Sequence, residues 1–143
     1  MQKSPQGGWI TGALLLIVLQ GCAATQTPQA CPVPSQKPML VAELFFGREV
    51  KGGRPVSDAD WNGFVDAVVA RKFPDGFTVL DGVGAWRDPA LGQTVHEHSK
   101  VLIVAATPSP DLAARLQAVS DAYRRAFRQQ SVGIVTTESC GAF

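Results

Sequence analysis

The sequence predicts one small α+β domain, a four-stranded antiparallel sheet with two helices on one face. Three observations predict it. Two segments repeat apolar residues at helical spacing, around Trp61–Val69 and Leu112–Phe127. Four other segments are short, apolar or alternating, and bounded by Gly, Pro and Asp turns. Their order along the chain is β-α-β-β-α-β, which closes most simply as a ferredoxin-like sandwich with sheet order 4-1-3-2.

The first strand is Met39–Gly47, M-L-V-A-E-L-F-F-G, apolar except for Glu43. Alternation sets Leu40, Ala42, Leu44 and Phe46 toward the helices and Val41, Glu43 and Phe45 on the opposite, open face. A turn with Gly52, Gly53 and Pro55 follows. Ser57 then reads as an N-cap, with Asp58 and Asp60 in the first helical turn. Trp61, Phe64, Val65, Val68 and Val69 form the apolar stripe, and the helix stops near Lys72 because Pro74 biases Phe73 away from the α region. Pro74-Asp75-Gly76 is turn chemistry.

The second strand, Phe77–Arg87, contains Gly82 and Gly84, which signal a bulge or a close approach. Asp88-Pro89 and Gly92 make a hairpin loop to the third strand, Thr94–Ala106, whose apolar end V-L-I-V-A-A suits a central position. Ser109-Pro110 opens the second helix, with proline at its first position. Leu112, Leu116, Val119, Tyr123 and Phe127 line its buried face, and Arg124, Arg125 and Arg128 sit at its C-terminal end, where the helix dipole favours cations. Ser131–Thr137 is the last strand.

Ahead of the domain, residues 1–21 read as a signal peptide: Lys3, an apolar run from Trp9 to Leu19, and small Gly21. The run is too short to span a bilayer, which takes about 20 apolar residues. Leu19-Gln20-Gly21-Cys22 resembles the bacterial lipobox, which implies acylation of Cys22 and a lipid anchor in the cell envelope. Ala23 after that cysteine implies the outer membrane, with the domain facing the periplasm. Residues 22–38 carry prolines 28, 32, 34 and 38 and read as a semi-extended tether. Residues 39–143 are the single domain.

The formal charge is +1, from 13 basic and 12 acidic residues. Such a balance argues against a nucleic-acid partner, which needs a basic footprint. Two cysteines remain beside Cys22. In an oxidising compartment Cys31 and Cys140 form an even pair, and the topology favours a bridge. The first and last strands are antiparallel neighbours, so the entry to one lies beside the exit of the other. The β-carbons are expected at about 4 Å, within disulfide range.

The candidate chemistry is sparse. His96-Glu97-His98 places two imidazoles on one side of a strand, but no third ligand is evident, so neither a metal nor another cofactor is expected. No catalytic residue is assigned, because neither a nucleophile motif nor a full G-x-G-x-x-G is present. Glu43, Asp81, Trp86 and Glu97 are the candidate pocket residues, all expected on the open face beside exposed Val41, Phe45, Val79 and Val83. Paired carboxylates there could do acid–base work. The plainer alternative is ion pairing with Arg48, Arg87 or Lys100.

Several blocks in order, E-L-F-F-G-R (43–48), V-S-D-A-D-W (56–61), F-P-D-G-F-T-V-L-D (73–81), G-A-W-R (84–87), H-S-K-V-L (98–102) and Y-R-R-A-F-R-Q-Q-S-V (123–132), resemble the bacterial family known as domain of unknown function 3574. The resemblance runs from Met39 to the end. It implies a small secreted or lipid-anchored domain and brings no catalytic residues with it. The leading expectation is therefore a non-enzymatic envelope domain that self-associates or binds an envelope protein through its open face. The alternative is a dimeric small-ligand-binding or enzymatic domain with a pocket on that face.

Overall fold

The computed structural model describes residues 30–143, so the signal segment, Cys22 and the start of the tether lie outside the described residues. Four strands and two helices follow one another as β1 (Lys37–Gly47), α1, β2 (Thr78–Arg87), β3 (Thr94–Ala106), α2 (Leu112–Phe127) and β4 (Gly133–Gly141). The first helix runs from Asp58–Phe64 through one wide π-turn, Val65–Val69, to a last turn at Ala70–Lys72, and all three segments are α1 here. The sheet is antiparallel with order β2-β3-β1-β4. This is the expected ferredoxin-like α+β arrangement.

The core lies between the sheet and the helices. Ala42, Leu44 and Phe46 of β1 and Leu102 and Val104 of β3 point into it, as the alternation requires. Trp61, Phe64 and Val69 come from α1, and Leu116, Val119 and Tyr123 from α2. Phe46 is fully enclosed, with its ring 4.7 Å from Tyr123 and 5.1 Å from Trp61, both edge-on. The Tyr123 hydroxyl donates to the Gly47 carbonyl at 3.0 Å, which satisfies both groups where β1 leaves the sheet. Burial pushes that phenol up to about 12.

Ser57 caps α1 in a full capping box. Its hydroxyl accepts from the Asp60 amide, and the Asp60 carboxylate accepts from the Ser57 amide. The start of α2 falls later than Pro110. Ser109–Asp111 forms a single turn, with the Leu112 amide donating to the Ser109 carbonyl, and the helix begins at Leu112. Both outer strand ends run longer than expected. Lys37 and Pro38, assigned above to the tether, already pair with Gly141 and Cys140. The proline is tolerated because β3 pairing stops at Leu40, leaving one side of β1 free there.

Cys31 and Cys140 are joined, with Cα atoms 5.7 Å apart. The bridge fixes the segment before β1 onto the end of β4, as the strand order allows. No described helix is long and apolar enough to cross a membrane.

One strand departs from its expected parity. Thr78 pairs with Ile103, Leu80 with Val101 and Trp86 with Val95, so the even residues of β2 occupy the open face. Val79, Asp81 and Val83 therefore point to the helix side, not outward. Val79 packs on the core, while Val83 lies beyond the helices and stays exposed. Asp81 sits directly across from Lys100 and forms an ion pair with it. Lys100 and Arg48 each also reach Asp58 at 3.1 Å, tying the start of α1 to the sheet.

These ion pairs give an acid dependence. The hydrogen bond from Lys100, and then the Arg48 charge, hold Asp58 below its ordinary value. Asp60 lies well below the carboxylate range, first through the Arg54 guanidinium and then through Ser57. A depressed folded pKa contributes stability that is present above the unfolded value near 4 and is lost as pH falls through the folded one. Urea unfolding at pH 7, 4 and 2.5 should show a falling midpoint below pH 4, and Asp60→Asn should flatten that fall. An equal midpoint at all three values would remove these pairs from the account.

Candidate functional site

The open face is built from the odd residues of β1, β3 and β4 and the even residues of β2. Its centre is apolar, with Val41, Phe45, Val101, Ile103 and Val135 running across three strands. Glu43 sits among them, opposite Ile103 on one side and Val135 on the other. At one end β1 stops at Gly47, while β2 and β3 continue as a two-stranded arm from the Gly84–Glu97 pair to the Arg87–Thr94 pair. The arm closes through Asp88–Gln93, with Gly92 at φ +64° in its turn.

That arm and the α2–β4 loop form two walls of a cleft of about 690 Å³. Trp86 and Glu97 stand on the arm. Phe45 and Gly133 form the floor, and Arg128–Ser131 makes the facing wall. The two aromatics are unusually available, Phe45 being 41 % and Trp86 46 % exposed. Glycines keep the floor low. A Cβ on Gly133 would touch the Phe45 ring at 3.5 Å; outside the cleft, one on Gly82 would press on the Ser99 hydroxyl at 2.9 Å. Gly84 lies opposite Glu97, and a Cβ there would make only an ordinary contact with the Glu97 carbonyl oxygen at 3.9 Å. Of the two glycines of β2, only Gly82 marks a close approach.

The expected pocket residues separate into three positions. Trp86 and Glu97 share the cleft. Glu43 lies on the same face but outside the cleft lining, two residues along β1 from Phe45. Asp81 is on the opposite face, because the β2 register places it across from Lys100. Among the described residues neither Glu43 nor Glu97 is in an ion pair, and Lys100, which pairs with Asp58 and Asp81, lies on the opposite face of the sheet. His96 and His98 lie on the helix side with Lys100, and no group of three metal-ligating side chains converges among the described residues.

Sequence reasoning missed the α2–β4 loop. Arg128 is not a helical residue. It ends α2 in the left-handed region at φ 53°, a place usually held by glycine. The signal was present: Phe127 is followed by Arg-Gln-Gln where a helix stop calls for glycine or asparagine. Gln129 then donates from its side chain to the Glu49 carbonyl at 2.8 Å, which holds the loop over the end of β1. A second cleft, about 670 Å³, opens at the far end of the sheet beside Met39, Phe77, Ile103, Arg115 and Phe143. None of the expected pocket residues lines it.

The model of the family described as "Protein of unknown function (DUF3574)" matches residues 41–143. The chain belongs to the DUF3574 family. A comparison with curated proteins gave no match. Among solved structures, this DUF3574 domain is similar to a phage SAM lyase in complex with S-methyl-5'-thioadenosine, at 20 % identity and TM-score 0.53, over 73 % of this chain and 90 % of that one. It is also similar to phage SAM lyase in its apo state, at 22 % identity and TM-score 0.52, over 73 % and 87 % of the two chains. At such identity the likeness establishes a shared fold.

The comparison nevertheless corrects the leading expectation. A non-enzymatic envelope domain followed from the lack of any catalytic motif and from the apolar open face. The solved proteins that share the fold are an enzyme, and one holds a small nucleoside. These neighbours favour the alternative expectation, a ligand-binding or enzymatic domain with a pocket on the open face, over the leading one.

Proposed function

We propose that this DUF3574 domain binds, and acts on, a small ligand with a flat ring, of the nucleoside class, in the cleft between the β2–β3 arm and the α2–β4 loop. The observation that carries the proposal is the meeting of exposed Phe45 and Trp86 with Glu97 in one cleft on a glycine-lowered floor. A planar ring stacks on exposed aromatics at a gain of about 1–3 kcal/mol. A carboxylate beside them accepts from ribose hydroxyls or faces a cationic centre. The nucleoside held by the phage SAM lyase is a compound of this class and supports the choice of probe.

The cleft is open on one side, and the apolar strip beside it continues to Leu80 and Val135, each about half exposed. A second copy laid on that strip would close the cleft and remove the strip from water. Sedimentation equilibrium reads this part alone, and a monomer at every concentration would remove the dimer from the proposal.

The test of the site is calorimetric titration of the protein with methylthioadenosine. Trp86→Ala should weaken binding roughly tenfold or more. Glu97→Gln should weaken it less, while neither change moves the thermal midpoint appreciably, since both residues are surface-exposed or half-buried. Equal affinity of both variants and the parent would place any binding elsewhere.

Placement in the cell is a separate proposal, that the chain is held at the envelope membrane through an acylated Cys22. It rests on Leu19–Cys22 and the apolar run before it. Mass determination of the membrane-extracted protein should find diacylglycerol on Cys22, and Cys22→Ser should release the chain or leave it unprocessed. A bare thiol on the native product would defeat the placement.

A further inference from the structure

Three regions outside the Trp86–Glu97 wall carry chemistry the proposal does not use. The Arg48, Lys100, Asp58 and Asp81 cluster is internally satisfied and joins β2, β3 and α1. Arg115, at the second cleft, already donates to the Lys72 carbonyl and to Ser109, and its guanidinium carbon lies 5.5 Å from the Phe73 ring centroid. Arg128 is different in kind.

Arg128 combines a costly backbone with an unused charge. For a side chain other than glycine, the left-handed region costs about 1 kcal/mol or more, and such positions persist where something else selects the residue. Helix-dipole stabilisation does not require it, because Arg124 and Arg125 already place two cations in the last turn of α2. No carboxylate among the described residues lies within ion-pairing distance of Arg128, although Arg54 and Arg124 nearby are paired with Asp60 and Asp121. The loop that carries it is pinned by two bonds. Gln129 donates to the Glu49 carbonyl at 2.8 Å, and Arg124 Nε donates to the Gln130 carbonyl at 3.1 Å. The guanidinium rests against Gly53, where an added Cβ would come within 3.4 Å of Nη2.

The cleft carries charge of both signs. Glu97 stands on the arm beside Trp86, while Arg128 and Lys51, with Glu49 between β1 and Lys51, come from the other elements that line it. We propose that the Arg128 wall is an oxyanion subsite, so that the ligand of this cleft carries a carboxylate or phosphate in addition to its flat ring. A guanidinium presents paired N–H donors matched to either group, and a neighbouring ammonium adds charge without geometric demand. This inference rests on the cleft being the ligand site.

The test compares three probes on the full chain by calorimetry at low salt. Methylthioadenosine has no oxyanion, S-adenosylhomocysteine adds an amino acid carboxylate, and adenosine 5'-monophosphate adds a phosphate. The parent protein should prefer at least one oxyanion probe over methylthioadenosine by about tenfold, and which one distinguishes carboxylate from phosphate. The preference should shrink as salt is raised. Arg128→Gly should bring the ratio close to one, while Arg128→Lys keeps part of it. Glycine suits the left-handed backbone, so the thermal midpoint of Arg128→Gly should stay level or rise, which separates lost binding from lost folding. Equal binding of all three probes by the parent, or a preference that survives in Arg128→Gly, overturns the subsite and leaves the ring site standing. Absence of binding by every probe overturns both.

Discussion

Replacing Phe46 with alanine lowers the unfolding free energy by about 3–5 kcal/mol, as for other fully buried aromatics. Phe46 is 0 % exposed and belongs to an aromatic cluster drawn from three elements. Its ring meets Trp61 and Phe64 of α1 and Tyr123 of α2, so a truncation loosens both helices from the sheet at once. The void cannot close by a local shift, because Leu44 and Leu102 beside it are themselves fully enclosed. Domains of this size hold roughly 5–15 kcal/mol in all, so the variant should sit near the limit of folding. Guanidinium unfolding reads the loss directly. Phe127→Ala, at the half-buried rim of the same cluster, should cost clearly less. Equal losses in the two variants would mean that depth of burial does not set the cost within this cluster.

Reducing the Cys31–Cys140 bridge, or replacing Cys140 with serine, is the second large effect. The bridge spans 109 residues, nearly the whole described chain. In the chain-entropy account such a loop contributes about 4–5 kcal/mol by restricting the unfolded state. For a domain of this length that corresponds to a fall of about 15–20 °C in thermal midpoint. The double replacement at Cys31 and Cys140 should match either single one, because the bridge rather than a thiol is what is lost. The Lys37–Met39 pairing with Ser139–Gly141 should fray first, since β1 has no second neighbour there. A midpoint that moves by less than about 5 °C on reduction would mean that the unfolded chain is already compact enough to need no tether.

The element order, the sheet order and the buried face of β1 were legible because each has a one-sided pattern. In β1, Ala42, Leu44 and Phe46 alternate with a charge at Glu43, which fixes the parity. In α2 the spacing from Leu112 to Phe127 admits only one buried stripe. β2 is two-sided: Val79 and Val83 compete with Leu80 and Trp86, and both faces are apolar. Its parity is set instead by the hairpin, in which the Asp88 amide donates to the Gln93 carbonyl at 2.9 Å. The one cue was charge. Asp81 and Lys100 lie directly across from each other, and reading them as a cross-strand pair would have turned the strand over. The cleft was half legible. Trp86 and Glu97 belong to one hairpin and could be placed together by counting from its turn. Arg128 and Phe45 reach it from elements 83 residues apart in number, and only the folded topology brings them to one end of the sheet.

Nuclear magnetic resonance of the isotope-labelled protein during addition of methylthioadenosine tests the ligand site most directly. Saturable shifts should gather at Phe45, Gly84, the Trp86 indole, Glu97 and Gly133. Silence there, or shifts gathered instead at Met39, Phe77, Arg115 and Phe143 around the far cleft, would contradict the assignment.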